Sequence, residues 1–498
     1  MTGQTDVVAD PHEAISDARR WRVLWVLLVA IFMSLVGVSV VNVALPSIQH
    51  GLDASDSDIQ WVLAGYALTF GVVLVAAGRA GDLMGRGGFF IAGVAIFTLA
   101  SVAAGLAPDA NSLNTARFVQ GVGSGLINPQ GIGMIQQYFR GAERGKAFGY
   151  FGSVVGVAVG IGPVLGGLLI ELGGPEIGWR LTFLVNVPVG LLCLLLAWRW
   201  FPRPLVRRPP ATAVPTAAGA AGAARRAASS LDPVGSILLG LAVLATMFPF
   251  VEGRSSGWLW LLLPVGGLLA WAWVRWEQYY RATGRSPMVD LDIFSIRSFT
   301  NGSIIVMLYF LGMTSIWVLV AMYFQEGAGK SALQAGFVGV PSALISAWAA
   351  HWAGSRVIRY GRKVVIGGLL FALTGLVLSI VVVQLHAQGL ASEWWLVASL
   401  ALVGVGQGSV ISPNQTLTLA DVPLDYAGSS GAIMQTGQRI GTSIGIAVIT
   451  SAAFGALALS GSWAVAITIG FILISLVVLV AIAFALKDQR DRVAAARP

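Results

Sequence analysis

Gly78-Arg79-Ala80-Gly81-Asp82-Leu83-Met84-Gly85-Arg86 stands between two long apolar runs, and an altered copy stands at Gly354-Ser355-Arg356-Val357-Ile358-Arg359-Tyr360-Gly361-Arg362-Lys363. Gly78, Gly85 and Arg86 match Gly354, Gly361 and Arg362 at one constant offset. A charged, glycine-bounded turn repeated at fixed register between apolar runs points to a membrane protein made of two related halves. A looser echo links Gly121-Val122-Gly123 and Pro129 to Gly404-Val405-Gly406 and Pro413, with the register slipping by one residue.

Composition agrees with that reading. Hydrophobic residues fill 56% of the 498 positions and charged residues 11%, against roughly 25% charged in a soluble domain. Most of the outer surface must therefore meet lipid. The single cysteine, Cys193, lies in an apolar run and can form no internal disulfide. There is no Cys/His cluster for a metal and no Gly-x-x-x-x-Gly-Lys-Ser/Thr loop to bind ATP. No acid, nucleophile and metal constellation marks an enzyme, and no cofactor is expected.

A helix needs roughly 20 apolar residues to cross the hydrocarbon core. Apolar runs begin near Arg22, Gln60, Gly87, Asn111, Arg144 and Gly178, then near Leu231 and Ser256, then near Ser298, Ser331, Lys363, Glu393, Ala427 and Gly461. The expected fold is all-α and integral to the membrane, with fourteen transmembrane helices: two six-helix bundles plus an inserted pair. The expected divisions are a tail at 1–21, a bundle at 22–202, a linker at 203–230, the inserted pair at 231–276, a loop at 277–297, a second bundle at 298–486 and a tail at 487–498. The linker is rich in Ala, Pro and Arg and reads as flexible.

Charge placement supports an even count. With the N-terminus inside, only Arg180, Arg254 and Lys330 fall on outer segments, Arg117 and Arg439 fall within spans, and the remaining Lys and Arg lie inside. That asymmetry is the positive-inside rule. An odd number of spans would put Lys487, Arg490 and Arg492 outside. The net charge of +8 is thus a topology signal and gives no reason to expect a nucleic-acid partner. Both termini are expected in the cytoplasm, with the chain in a bacterial plasma membrane.

From about Leu24 to Leu486 the sequence resembles the major facilitator superfamily, in particular its fourteen-spanner drug:proton antiporter branch. Gly78 to Arg86 resembles the superfamily's inner-loop signature, keeping Asp82 and Arg86 while Leu83 and Gly87 replace two of its basic residues. Leu113 to Gly125 resembles the helix-four signature, with Arg117 as its embedded arginine. Gly156, Gly160 and the run Gly162, Pro163, Val164, Leu165, Gly166, Gly167 resemble the helix-five antiporter signature, which implies export. Trp179 to Gly190 and Asn42 to Pro46 resemble phrases of the fourteen-spanner branch. One departure stands out: the helix-one aspartate linked to proton coupling is replaced by Gly37.

The residues can also be read physically. Arg117 costs about 2.5–3.5 kcal/mol if it faces lipid at mid-membrane, so it must face a partner, a water path or the interior; the bland alternative is snorkelling near a helix end. Gln120, Ser124 and Asn128 follow it on one helical face. Gln435, Gln438 and Arg439 share a face of helix thirteen, where Arg439 suits an anionic substrate and a helix–helix lock equally well. Asp82, with Arg79, Gly85 and Arg86, is expected to latch the inner mouth by pairing with arginines or with a helix N-terminus; the plain alternative is a solvated turn. With Gly37 in place, Asp58, Glu171 and Glu252 join Arg117 as proton-coupling candidates, although each acid also suits a simple interfacial role. Asn42, Tyr66, Gln325, Asn414 and Gln415 complete the polar groups that could line a cavity.

These features imply a monomeric exporter of amphipathic organic compounds, surrounded by membrane lipid and driven by proton antiport. The alternative keeps the fold and narrows the cargo to one metabolite, antibiotic or lipid, with coupling that bypasses the missing carboxylate.

Overall fold

The computed structural model describes residues 16–206, 232–252, 256–285 and 287–495. Most of the expected linker at 203–230 and the ends of both expected tails lie outside the described residues. Among the described residues there are fourteen long helices: α1 (Asp17–Leu52), α2 (Asp56–Met84), α3 (Arg86–Gly105), α4 (Ala110–Tyr138), α5 (Gly141–Gly174), α6 (Glu176–Trp200), α7 (Pro233–Glu252), α8 (Leu262–Ala282), α9 (Arg297–Met322), α10 (Ala332–Tyr360), α11 (Arg362–Ala387), α12 (Trp395–Thr418), α13 (Ala427–Ser460) and α14 (Trp463–Ala495). Thirteen are long and apolar enough to cross a membrane. The exception is α4, whose middle carries Arg117, Gln120, Ser124, Asn128 and Gln130, all buried.

Local chemistry sets the helix starts and stops. Ser55, Asp109 and Ser331 close reciprocal capping boxes with the residue three positions on, satisfying backbone donors that a helix start leaves orphaned. Gly85 (φ 104°) and Gly361 (φ 56°) make the sharp α2–α3 and α10–α11 turns, where a side chain would be strained. Thus the repeated glycine of the sequence motif is the repeated turn of the fold. The backbone after α5 breaks at Gly174 (φ 67°), not at Pro163. Through Gly162-Pro163 the backbone of α5 keeps helical dihedrals.

Two large apolar cores hold the halves. One runs through α1 to α6 and takes in Phe299, Leu419, Ala432 and Met434 from the other half. The second lies among α9 to α14. The inserted pair packs as a hairpin, with Gly266 of α8 close against Thr246 of α7. Met247 and Val243 of α7 seat on α2 at Leu68, in a small core that Ile440 of α13 joins. The outer face of α8 exposes Leu268 and Trp271, as does Leu261 in the turn just before it, as a lipid-facing surface should.

Two expected boundaries move. The sequence places Glu277 at the start of a polar loop, yet α8 continues to Ala282 and Glu277 is a buried helical residue. It starts a tail at residue 487, yet α14 runs on to Ala495 with Asp488 buried at 1% exposure. In both places a charge at the end of an apolar run signals a boundary, while the real helix continues because that charge has buried contacts.

Candidate functional site

The two halves close on each other at the end of the molecule where α2, α4, α6, α12 and α14 finish. Asp82 is the centre of that closure. Its carboxylate accepts the backbone N–H groups of Gly428 and Ser429 at 2.9 Å each, and the Ser429 hydroxyl at 3.1 Å. These donors are the first turn of α13, so Asp82 of the N-terminal half caps a helix of the C-terminal half. Arg86 holds the same carboxylate through Nε (3.1 Å) and Nη2 (2.7 Å). It also donates to Gln137 Oε1 at 2.5 Å and to the Leu424 carbonyl at 3.0 Å. Arg79 is buried and lies over the Tyr426 ring at 5.2 Å. The expected latch residues Arg79, Asp82, Gly85 and Arg86 therefore come together, with α13 as the helix N-terminus they engage. Gln136 donating to the Ala427 carbonyl (3.0 Å) and Arg144 donating to the Ala420 carbonyl (3.4 Å) extend the closure.

Space is removed there as well as charge satisfied. A Cβ on Gly78 would stand 2.7 Å from the Gly428 carbonyl, and one on Gly431 2.7 Å from Ile132 Cγ2. Such approaches need glycine.

Deeper in the bundle, Arg117 is 1% exposed. Its Nε donates to the Val62 carbonyl (2.8 Å) and its Nη1 to Gln120 Oε1 (2.8 Å), while Gln120 donates to Ser101 (2.7 Å). Nη2 has no hydrogen-bond partner. Its guanidinium sits 4.5 Å from the Tyr66 ring centre. Tyr66 stacks on Phe70 at 6.1 Å with planes 6° apart, and the Arg439 guanidinium lies 4.4 Å from the Phe70 ring centre. Two cations from opposite halves, Arg117 buried and Arg439 half-buried, thus each meet a ring of one aromatic stack. Among the described residues neither has a carboxylate partner. Tyr66 also joins Ser34 and Ser124 in a hydrogen-bonded trio at 2.6–3.2 Å, and Asn128 donates to the Ser124 carbonyl.

The antiporter-type glycines serve two faces of α5. Gly156 and Gly160 press on Ala343 and Ala347 of α10, across the seam between halves; Gly162 and Gly166 press on Ser39 and Val40 of α1. Gly167 faces open space, and a Cβ on Gly336 of α10 would lie 3.9 Å from Pro163. Ser153 donates to the Ala347 carbonyl across the seam at 2.6 Å.

The remaining candidates do not gather. Asp58 accepts from Ser55 and caps α2, Glu171 is exposed, and Glu252 is buried at the far end of α7. Asn42 and Gln325 are exposed, the latter donating to the Ala321 carbonyl. Gln415 and Gln435 are buried, and Gln438 is half-buried. Asn414 is 0% exposed; it binds Arg362 and donates to the Gly302 carbonyl at 2.9 Å. Gly37 faces Phe97 at 3.2 Å and the Asn186 amide at 3.4 Å from where a Cβ would be, so a side chain there would enter packed protein.

Sequence reasoning missed Arg362 and Asp488. Arg362 occupies the register of Arg86 in the second half and is paired with Asp488, which also receives Asn301 (3.1 Å) and Arg492 (3.1 Å). The constant offset between the two turns was the signal that could have found Arg362.

Comparisons with known proteins agree with this architecture. The Major Facilitator Superfamily profile matches residues 27–446. The chain is 32% identical over 444 residues to the "Probable actinorhodin transporter" of Streptomyces coelicolor, covering 88% of this chain and 73% of that one. It is 31% identical over 469 residues to the "Puromycin resistance protein pur8" of Streptomyces alboniger, covering 92% and 87%. It is 27% identical over 435 residues to the "Riboflavin transporter RibZ" of Clostridioides difficile, covering 87% and 88%. A solved structure of the proton:xylose symporter XylE superposes with TM-score 0.64 over 95% of this chain and 96% of that one, at 14% identity, which speaks to the fold alone. With two helical halves closed around a capped α13 and this profile across most of its length, the chain is a multi-pass membrane transporter that belongs to the major facilitator superfamily.

Proposed function

We propose that the protein exports amphipathic organic compounds by alternating access, driven by proton entry, with all fourteen helices crossing the membrane and both termini cytoplasmic. The observation that carries the alternating step is Asp82 capping α13 across the interface between halves. Such a cap is strong when dry and replaceable by water, so it stabilises one state without locking it. In the proposed orientation the closed end faces the cytoplasm. Helix α4 would cross despite its polarity because its polar face is buried against α2 and α3. The two arginines around the Tyr66–Phe70 stack form a site where flat aromatic or anionic compounds could replace one ring contact. Relatives named for actinorhodin and puromycin are in keeping with organic cargo. The protein acts as a monomer in lipid and needs no cofactor.

A second reading, a dedicated transporter of one metabolite with another form of coupling, is favoured by Gly37. A coupling carboxylate at that position would meet Phe97 and Asn186, and none is present. Transport of a labelled organic dye in proteoliposomes with an imposed pH gradient tests both. Accumulation that follows the gradient supports proton antiport. Transport indifferent to the gradient supports the second reading, and no transport of any organic compound in active, folded protein would sink export itself.

A further inference from the structure

The inserted helix pair contains a buried pair of acids that no transport contact uses. Asp232, 0% exposed, stands immediately before α7, and Glu277, 1% exposed, lies in α8. Asp232 Oδ1 accepts the Gly235 N–H at 3.0 Å and the Trp276 indole N–H at 2.8 Å. Glu277 Oε2 accepts the Met288 N–H at 3.1 Å. Their other oxygens, Asp232 Oδ2 and Glu277 Oε1, are buried and have no partner. Both face the same small space, the place that a Cβ on Gly235 would fill. That point is 2.9 Å from Glu277 Oε1 and closer still to Asp232 Oδ2. The indole N–H of Trp273, beside Glu277, is also buried without a partner of sound geometry.

Among the described residues the surroundings offer no compensating cation. Tyr280 on α8 lies within electrostatic reach of both acids. Arg285 sits over the Tyr280 ring at 5.5 Å. Arg281 is taken by Asp290 at 3.2 Å and Asp292 at 2.6 Å in the segment leading to α9. From α7 comes only Ser236, whose hydroxyl contacts Met288 Sδ at 3.0 Å. No ion pair reaches either acid among the described residues.

Two adjacent buried carboxylates without a base cannot both hold a negative charge, and a buried oxygen left unpaired is costly. One proton on the pair relieves both problems, because the protonated acid is neutral and carries a donor. The geometry points to Glu277 as a proton-binding site, its protonated carboxyl facing Asp232 Oδ2 across that space. The positive φ of Asp232 (43°) folds its side chain under the start of α7, a strained backbone in keeping with a purpose at this position. Protonated, the pair clasps three elements: α7 through Gly235, α8 through Trp276, and the Met288 segment that leads to α9. Deprotonated, two like charges push α7 away from α8. Since α7 seats on α2 and reaches α13, that clasp bears on the seam between the halves. This site stands whether or not export is driven by protons.

Infrared difference spectroscopy of the purified full-length protein in lipid nanodiscs tests it. At neutral pH a carboxylic C=O band is expected that shifts in heavy water and disappears as pH is raised. It should be absent in Asp232→Asn and in Glu277→Gln, where an amide supplies the donor. Stabilisation that depends on the bound proton is full at low pH and lost as pH rises and the proton leaves. The unfolding temperature of the wild type should therefore fall with rising pH more steeply than that of either amide variant. A wild-type spectrum without such a band from mildly acid to mildly alkaline pH would overturn the proposal. So would a band that persists in both variants, or an unfolding temperature that rises with sodium chloride over choline chloride, which would make the space a cation site. The wild-type spectrum and its sodium dependence decide the matter even if the variants fail to fold.

Discussion

Arg362 is bound to Asp488 inside its own half, whereas Arg86, at the same register of the other half, shares its acid Asp82 with a helix of the opposite half. The two turns are related by repetition, yet only one of them bridges. The reason is where the acid comes from: Asp82 sits on α2 beside the interface, while Ile358 takes the matching position and α14 supplies Asp488 from within. One contact therefore joins the two halves and the other lies within a single half.

Asp82→Asn should loosen the first closure. An amide keeps the shape but loses the charge that holds two backbone N–H groups and Arg86; hydrogen bonds to a charged group contribute about 1.5–3 kcal/mol. Ala432→Cys, at a position of 0% exposure next to Gly78, reports on it. The introduced thiol should resist a maleimide in the otherwise native protein and react at least roughly tenfold faster with Asp82→Asn, about 1.4 kcal/mol of easier opening. The native Cys193 is buried and stays silent.

Asp488→Asn should instead destabilise the whole C-terminal half. Leaving Arg362 buried at 2% exposure without its acid costs about 3–5 kcal/mol, read as a large drop in unfolding temperature in detergent. Replacing both with Arg362→Met and Asp488→Leu should recover much of the loss. Equal stability of Asp488→Asn and the native chain would contradict the assignment.

Phe70→Leu should reduce transport while leaving the fold intact. It removes the face on which Arg439 rests, a contact of about 0.5–2 kcal/mol, and breaks the stack with Tyr66. Phe70→Tyr should retain most activity, so the comparison isolates the aromatic face from simple volume. Initial uptake rates in proteoliposomes at matched protein amount provide the measure.

Gly160→Ala should strain the seam of α5 and α10, since its new methyl would collide with Ala343 Cβ. Overpacking of this kind costs about 1–3 kcal/mol. Ala343→Gly in the same chain should restore the unfolding temperature, and a double variant no better than the single one would rule out this contact as the cause.

At the opposite end of the molecule, Lys330 holds Glu393 at 2.7 Å and keeps its carboxyl below the usual glutamate range, with the Lys330 hydrogen bond as the main cause. A depressed folded-state pKa gives stability that is present above the unfolded value and lost as pH falls through the folded one. The loop joining α11 and α12 should thus loosen on acidification, by no more than about 1 kcal/mol for a partly exposed pair. Lys330→Met should remove that pH dependence, which hydrogen exchange of residues 388–394 can follow.

Much of the fold was legible because hydropathy and charge placement are properties of whole segments. That Asp82 has a partner was legible because it is a lone acid in a basic turn. The partner's identity was not, since the backbone N–H groups of Gly428 and Ser429 leave no trace in side-chain chemistry. Asp488 and Glu277 were misread for one shared reason: a charge at the end of an apolar run looks like a boundary unless its buried contact is visible. The contact of Asn414 with Arg362 was not legible, because a polar residue in a span looks the same whether it meets substrate or a buried side chain.

Helices α2 and α13 are joined twice, by Asp82 on Gly428 and Ser429 and by Phe70 under Arg439. Along α13 these joints are about 15 Å apart. Undoing only the outer one leaves the aromatic contact as a fulcrum, about which a small roll of α13 becomes a wide gap at the mouth. Whatever competes with Phe70 for Arg439 then acts on the pivot itself, so cargo at the centre of the molecule would set how freely the distant rim can swing.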